Sequence, residues 1–420
     1  MRLIALYLGK TVYCLMKLFG RHGAALPGLI AEKLDANFLN SSLNQLAQGV
    51  VVITGTNGKT TSTKMLSAIL KTNMRVLTNP TGSNFTRGIA SAIVRHSDWL
   101  GRLKYDIGVF ELDEAYAAKF AEVFNPCMTI VLNVMRDQMD RFGEIDHTSN
   151  LIAKVVAKTT NIIVLNHDDS RVRKMHKLSD AKTFWFGVDD GLSDIYRNDD
   201  DLHGNAKARC SDKKLDCMLK KIDQDGQLQF ILGGQTLDIH LESATTYNAQ
   251  NAAAVILAAS RLGIAADNIA AGLARVKPAF GRGEHIKVGK KSLVLQLVKN
   301  PGGFRQALIS SRTNDHYATM VAINDDYADG RDVSWLWDVD FGQIKTSKFV
   351  ITSGARADDM ALRLKYDGIK THVTEEDLEK AVTIFLDSLK GGQSGVVFTT
   401  YTAMLKLRKL IAKITEIDKI

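Results

Sequence analysis

The sequence predicts an α/β protein. It has a phosphate-loop ATPase domain with a parallel-rich central sheet and an inserted small β subdomain, then a C-terminal α/β domain of Rossmann-like type. Three observations predict it. The β-branched run Val50-Val51-Val52-Ile53 leads directly into Gly55-Thr56-Asn57-Gly58-Lys59-Thr60-Thr61. Short apolar strands alternate with helix-compatible stretches both before residue 190 and after residue 290. Between these blocks lie a polar stretch and an alternating pattern around Gly233-Gly234 that reads as a hairpin.

The bulk properties limit the function classes. At 420 residues the chain is too long for one ordinary core, so two or three domains are expected. Hydrophobic residues make up 45% and charged residues 24%, as in a soluble globular protein. The net charge of +8 fits an anionic small substrate or an anionic lipid surface. Its Lys and Arg residues are dispersed and no nucleic-acid-binding signature stands out, so no nucleic acid partner is expected. Cys14, Cys127, Cys210 and Cys217 do not make a disulfide framework, which fits a reducing cytoplasm. The six-residue gap between Cys210 and Cys217 argues against a zinc site built from them alone.

Taken in order, residues 1–48 read as a helical leader. Ile4, Leu8, Val12, Leu15 and Leu18 recur at near-helical spacing, but Lys10 and Lys17 interrupt a run already too short to span a bilayer. The bland reading is a helix packed on the neighbouring domain. A helix lying on a membrane surface is the other. Gly23 to Gly28 reads as a turn, and Leu29 to Leu46 as a second helical region.

The loop at 55–61 has the layout of a phosphate-binding loop. Glycines let backbone N–H groups converge on phosphate oxygens, Lys59 adds a positive charge, and Thr60 offers a hydroxyl to Mg²⁺. Only Thr56 and Asn57 separate the glycines, so the pattern is shorter than the usual one, and a plain strand-to-helix turn capped by Thr61 is the competing reading.

Further strands are expected at Val76 to Thr78, Tyr105 to Leu112, Met128 to Val134 and Ile162 to Asn166. Parallel sheets carry functional loops at the carboxyl ends of their strands. Glu111, Asp113 and Glu114 sit at one such end, and Glu111 is the expected metal-positioning carboxylate, against an exposed acidic loop. The charged loop from Asn133 to Glu144 follows the next strand. Asn248 and Asn251 share a helical face where an amide reads an adenine edge or simply caps the helix. Arg282 either reaches a phosphate or pairs with Glu284. In the last third, strands are expected at Leu293 to Val298, Met320 to Asn324, Lys348 to Thr352 and Gly395 to Phe398, and Lys299 to Phe304 reads as a loop. Asp359 falls at a helix start, where residue chemistry alone makes it a cap or dipole partner.

Together, Gly55 to Thr61, Glu111, the Asn133-to-Glu144 loop, Tyr247-Asn248-Ala249-Gln250-Asn251 and Phe280-Gly281-Arg282 resemble the ATPase core of the Mur ligase family. Arg136 to Arg141, Lys299 to Phe304, Asp329 to Asp338 and Arg356 to Tyr366 narrow the resemblance to its MurT branch, over nearly the whole chain. That branch comprises the synthetase subunits of lipid II isoglutaminyl synthase.

The resemblance implies ATP and Mg²⁺ as cofactors, with Gly55, Thr56, Asn57, Gly58, Lys59, Thr60, Thr61, Asn248, Asn251 and Arg282 binding nucleotide. Thr60 and Glu111 would hold Mg²⁺. It implies phosphorylation of the D-glutamate α-carboxylate in the lipid II stem peptide and displacement of that phosphate by ammonia from a GatD-type glutaminase subunit. Asp359 would then supply the orienting carboxylate of the partner's catalytic triad. The expected location is the cytoplasm, or the inner face of the cell membrane. The implied layout is a leader at 1–48, an ATPase domain at 49–288 and a partner-contacting domain at 289–420.

Two departures accompany it. A four-cysteine zinc ribbon occurs in many relatives, but residues 190–242 keep only two cysteines, so a degenerate ribbon without zinc is expected. Amino-acid-adding Mur ligases carry a carbamylated lysine; Lys154 lies at roughly the right distance after Asp137, but the loop between differs, and its carbamylation is not expected. The alternatives are a Mur or folylpolyglutamate-type amino-acid ligase, and a nucleotide-binding scaffold without chemistry.

Overall fold

The structure is a computed structural model and describes residues 1–19, 25–79, 86–136, 145–196, 214–223, 226–241, 246–276, 282–311 and 316–415. The chain forms two compact units. The first comprises Met1–Val134, Asp146–Ala244 and Asn248–Val276, and the second Met135–Ile145, Thr245–Tyr247 and Lys277–Ile420.

Among the described residues the first unit is built on nine strands: β1 (Val50–Thr54), β2 (Val76–Thr78), β3 (Ile107–Glu111), β4 (Met128–Val131), β5 (Ile162–Asn166), β6 (Lys182–Val188), β7 (Cys217–Ile222), β8 (Gln227–Leu232) and β9 (Gln235–His240). Their order in the sheet is β2-β3-β1-β4-β5-β6-β7-β8-β9, parallel as far as β7 and antiparallel beyond it. Its described helices are α1 (Arg2–Leu18), α2 (Leu26–Leu34), α3 (Phe38–Leu43), α4 (Lys59–Leu70), α5 (Thr86–His96), α6 (Glu114–Val123), α7 (Ile145–Ala157), α8 (Ser170–Lys174), α9 (Thr246–Arg261) and α10 (Ala266–Leu273).

β1 is apolar throughout because both of its faces are covered. Val51 and Ile53 join a core with α4, α9 and α10, while Val50 and Val52 join a second core with α1, α3, α5 and α6. The strand pairs with β3 on one side and β4 on the other, Val52 lying opposite Phe110 and Thr129. The chain leaves β1 for β2, two places away, and later crosses to β4. The carboxyl end of β1 therefore lies at a topological switch point, where open α/β sheets bind ligands.

Several sequence expectations change. The second helical region starts at Leu26, not Leu29, because Pro27 is compatible with a first helical turn, and it breaks before Phe38. The polar stretch before the hairpin contains a strand, β7, whose Cys217 is buried in the main core. Burial pushes the Cys217 thiol far up from its usual pKa. Cys210 lies outside the described residues. The hairpin around Gly233-Gly234 is present as β8 and β9, which continue the main sheet as its antiparallel edge.

Among the described residues the second unit has six strands: β10 (Arg282–Val288), β11 (Lys291–Leu297), β12 (Ala318–Ala322), β13 (Phe349–Ser353), β14 (Val373–Glu375) and β15 (Ser394–Thr399), in the order β10-β11-β15-β12-β13-β14. Its helices include α11 (Pro301–Ser311), α12 (Ala357–Tyr366), α13 (Leu378–Ser388) and α14 (Tyr401–Ile411). The expected loop at Lys299 to Phe304 is instead the start of α11. Asn300 accepts a hydrogen bond from the Gly303 amide at 2.7 Å, a side-chain cap that lets Pro301-Gly302-Gly303 begin a helix. Phe304 is fully buried against Phe341 and Phe398.

Among the described residues, no helix is long and apolar enough to cross a membrane. The helix behind the phosphate loop is held by close packing: a Cβ on Gly272 of α10 would meet Ile69 Cα of α4 at 2.5 Å. Gly272→Ala is expected to destabilise the protein by about 1–3 kcal/mol. Gly391→Ala, whose Cβ would find only the Lys290 side chain at 3.6 Å, should change little. Equal denaturation midpoints for the two variants would contradict this packing.

Candidate functional site

The site is assembled at the carboxyl end of β1. Gly55 has φ 128° and Gly58 has φ 92°, values an L side chain rarely adopts. Each glycine is also closely approached. A Cβ on Gly55 would lie 2.9 Å from the Asn133 carbonyl oxygen, and one on Gly58 would lie 2.3 Å from Asn251 Nδ2.

Asn133 also grips Asn57 directly. The Asn57 amide donates to Asn133 Oδ1 at 2.9 Å, Asn133 Nδ2 donates to the Asn57 carbonyl at 3.0 Å, and the Thr56 amide donates to the Asn133 carbonyl at 3.0 Å. A side-chain amide thus extends the parallel pairing of β1 and β4 beyond the last strand residues. Asn79 does the same for Glu111: it accepts from the Glu111 amide at 3.1 Å and donates to its carbonyl at 3.0 Å.

Lys59 opens α4 and is buried. Its ammonium donates to the Gly55 carbonyl at 2.7 Å and the Thr56 carbonyl at 3.2 Å, and lies 3.1 Å from Asp113 and 3.8 Å from Glu114. These neighbours offset the cost of removing the charge from water. They also hold the ammonium against the loop carbonyls. Thr60 is half-buried and Thr61 buried in the first turn of α4.

The structure therefore brings together Gly55, Thr56, Asn57, Gly58, Lys59, Thr60, Thr61 and Asn251. Asn248, one turn before Asn251 on α9, is buried. Glu111 is 2% exposed at the end of β3, two residues before the carboxylate that reaches Lys59. Arg282 falls on β10, but its side chain lies outside the described residues, as does the loop at 137–144. Glu284 pairs with Arg408 of α14. Lys154 is exposed on α7.

Residue chemistry fits a nucleotide phosphate. Thr61 Oγ1 and Asn251 Nδ2 are buried beside the loop and have no hydrogen-bond partner among the described residues, so two donors stand next to a helix N-terminus and an ammonium. Thr60 and Glu111 supply oxygen ligands of the kind Mg²⁺ takes.

The second unit carries its own polar cluster. Arg356 precedes α12 and donates to Asp325 through Nε at 3.0 Å and Nη2 at 2.7 Å, and to Asp359 through Nη1 at 3.2 Å. The hydrogen bond with Asp325, and less strongly that with Asp359, raises the guanidinium pKa further. The Asp359 side chain is 53% exposed, so its carboxylate is oriented by Arg356 yet open to solvent. Buried Asp329 accepts from the Thr402 amide at 2.8 Å and its hydroxyl at 2.5 Å, capping α14, and burial raises its pKa.

Sequence reading passed over Asn79, Asp325 and Arg356 as site residues, and gave Asn133 no individual role. An asparagine or aspartate just past an apolar strand is the available signal, but the groups they hold, backbone for Asn79 and Asn133 and the Arg356 guanidinium for Asp325, are distant in sequence.

A glycine-bracketed loop carrying lysine and threonine, at the switch point of a parallel sheet, defines a nucleotide-binding α/β protein. The fold is that of the Mur ligases. A crystal structure of MurF from Acinetobacter baumannii matches with a TM-score of 0.72 at 17% identity, covering 92% of this chain and 80% of that one. MurF ligase from Thermotoga maritima in complex with ADP matches with a TM-score of 0.70 at 18% identity, covering 91% and 85%.

Residues 53–259 match the Mur ligase middle domain, and residues 297–404 the MurT ligase C-terminal domain. The lipid II isoglutaminyl synthase (glutamine-hydrolyzing) subunit MurT of Streptococcus pneumoniae (strain ATCC BAA-255 / R6) is 31% identical over 97% of this chain and 96% of its own length. The protein of the same name from Staphylococcus aureus (strain COL) is 29% identical over 91% and 92%. The chain belongs to the MurT family of Mur-type ligases.

The closeness of Asn251 to Gly58 gives a direct test of the loop. Gly58→Ala is expected to weaken ATP binding at least about tenfold, combining backbone strain of roughly 1–2 kcal/mol with a steric conflict. Adding Asn251→Ala should recover part of the loss by removing the conflict. Isothermal titration of the variants measures both, and unchanged affinity in Gly58→Ala would refute the loop geometry.

Proposed function

We propose that this protein is the synthetase subunit of a lipid II isoglutaminyl synthase. It amidates the α-carboxylate of D-glutamate in the lipid II stem peptide, producing D-isoglutamine, with ATP and with ammonia supplied by a glutaminase partner of GatD type. The observation that carries this reading is the likeness to MurT subunits over nearly the whole chain, including the C-terminal domain that holds Asp359.

A carboxylate is a poor electrophile because its leaving group would be oxide. In the proposed reaction a carboxylate oxygen attacks the γ-phosphorus of ATP, the bond to the bridging oxygen of ADP breaks, and an acyl phosphate forms. The lone pair of ammonia then attacks the acyl carbon. The tetrahedral adduct loses a proton and expels inorganic phosphate, leaving the amide.

Catalysis of this kind rests on positioning and charge neutralisation. Lys59 would exchange its carboxylate neighbours for phosphate oxygens, and backbone N–H groups at residues 58–61 would hold the phosphate chain. Gly55, Thr56 and Asn57 shape the loop, with Asn248 and Asn251 on the α9 side and Arg282 as a further phosphate contact. Mg²⁺, held by Thr60 and Glu111, would supply additional positive charge to the phosphates. The enzyme would work in the cytoplasm, at the inner face of the membrane that carries its substrate.

Asp359 has a separate role in this reading. Exposed and fixed by Arg356, it would orient the catalytic histidine of the glutaminase subunit and thereby control ammonia supply. Lys59→Ala is expected to abolish amidation with either nitrogen source. Asp359→Asn and Arg356→Gln should lose most glutamine-dependent amidation, by about 10²-fold or more, and keep ammonium-dependent amidation. Asp358→Asn should resemble wild type. Measured on lipid II with the co-expressed glutaminase, equal loss with glutamine and ammonium in Asp359→Asn would remove Asp359 from the ammonia-generating half.

A further inference from the structure

The N-terminal helix leaves Ile4, Tyr7, Leu8, Leu15 and Leu18 exposed, where a packed helix would turn such residues inward. α1 docks through Ala5, Leu6 and Gly9. Ala5 and Leu6 are buried, and a Cβ on Gly9 would meet the Val94 side chain at 3.0 Å and the Pro27 carbonyl at 3.2 Å. Ile4, Tyr7, Leu8, Leu15 and Leu18 form a stripe on the other face and are 41% to 79% exposed.

The stripe is continued by a second segment. Trp99 and Leu100 are 66% and 62% exposed. Trp99 stacks on Tyr7 with ring centroids 6.1 Å apart, the Tyr7 hydroxyl donates to the Trp99 carbonyl at 2.8 Å, and Lys10 donates to the Ser97 carbonyl at 2.7 Å while lying over the Trp99 ring. Helix and loop are thus locked into one surface.

Basic groups flank the patch. α1 contains Arg2, Lys10 and Lys17 and no acidic residue, and the loop beside Trp99 adds exposed Arg102 and Lys104. Its acid, Asp98, accepts the amides of Leu100 and Arg102 at 2.9 and 2.8 Å. A contiguous apolar patch of this kind is uncommon on a protein with nothing to bind. Leucines, an exposed tryptophan and tyrosine, and a cationic surround match the interfacial zone of an anionic bilayer.

We infer that α1 and the Trp99-Leu100 loop form a docking surface for an anionic membrane, with Ile4, Leu8, Leu15, Leu18, Trp99 and Leu100 entering the headgroup–acyl boundary. The helix lies on the membrane and does not cross it, being 17 residues long with three cations. This inference stands on the surface and not on the proposed reaction, although a lipid-linked substrate would give it a purpose.

The test is flotation of the full chain with vesicles of phosphatidylglycerol and phosphatidylethanolamine, against phosphatidylcholine vesicles, both without lipid II. Wild type is expected to float with the anionic vesicles. Leu8→Gln/Leu15→Gln should weaken binding at least about tenfold, and Arg102→Gln/Lys104→Gln should remove much of the preference for phosphatidylglycerol. All these side chains are exposed, so denaturation midpoints should match wild type.

The proposal is overturned if wild type does not float, or if the leucine variant floats equally well. It also fails if that variant converts a dimer to a monomer in light scattering without vesicles, making a second copy the occupant, or abolishes glutaminase binding, making that partner the occupant. Amidation of a water-soluble stem peptide keeps the two readings apart. It should persist in the leucine variant, and its absence from wild type with vesicle binding intact would defeat only the proposed reaction.

Discussion

The phosphate loop depends on being held from two sides by asparagines. The Asn133 backbone closes over Gly55 while its side-chain amide occupies both backbone groups of Asn57, and the Asn251 amide lies against Gly58. A loop rich in glycine gains conformational freedom in the unfolded chain and must be held by its surroundings when folded. Here β4 supplies one clamp and α9 the other, so strand order and helix packing both converge on the loop. Lys59 is fixed by the same arrangement, since two of its hydrogen-bond acceptors are loop carbonyls.

The same design recurs in the second unit at a smaller scale. Gly354 has φ 85°, and a Cβ there would meet the Ile323 carbonyl at 2.5 Å and Asn324 Oδ1 at 2.7 Å. Asn324 also accepts from the Ala355 amide at 3.1 Å and donates to Thr402 at 3.0 Å. The turn after β13 is thereby tied to the end of β12 and to α14. Arg356 emerges from this turn to join Asp325 with Asp359. An exposed carboxylate thus rests on the half-buried Arg356–Asp325 pair beside buried Asn324, which gives it a defined direction with little cover. That combination suits a residue proposed to act on a partner.

Much of the fold was legible because its signals are local. β1 and its loop could be read from a β-branched run and two glycines, and the β8–β9 hairpin from alternation around Gly233-Gly234. α11 was hidden because Pro301-Gly302-Gly303 reads as a loop unless Asn300 is known to cap it. β7 was hidden by its lysines, which occupy the exposed positions of a strand whose inner residues, Cys217 and Leu219, are buried. The site was legible in part. Lys59 and the glycines declare themselves, whereas the Asn133, Asn251 and Arg356 contacts join residues from different segments or depend on a turn closed by the fold. The leader's periodicity was visible, but sequence alone did not say which face was inward. Gly9 allows close approach to α5 and α2, Ala5 and Leu6 are buried beside it, and Ile4, Leu8, Leu15 and Leu18 are left outside.

If the loop exists to activate a carboxylate for ammonia, one oxygen of that carboxylate must leave with the phosphate. The most direct measurement is mass analysis of inorganic phosphate released when the purified chain, ATP, Mg²⁺ and ammonium act on a stem peptide carrying ¹⁸O in the D-glutamate α-carboxylate. The account predicts one ¹⁸O in each phosphate, with the other retained in the amide. Phosphate released without label, while ATP is consumed, would contradict it.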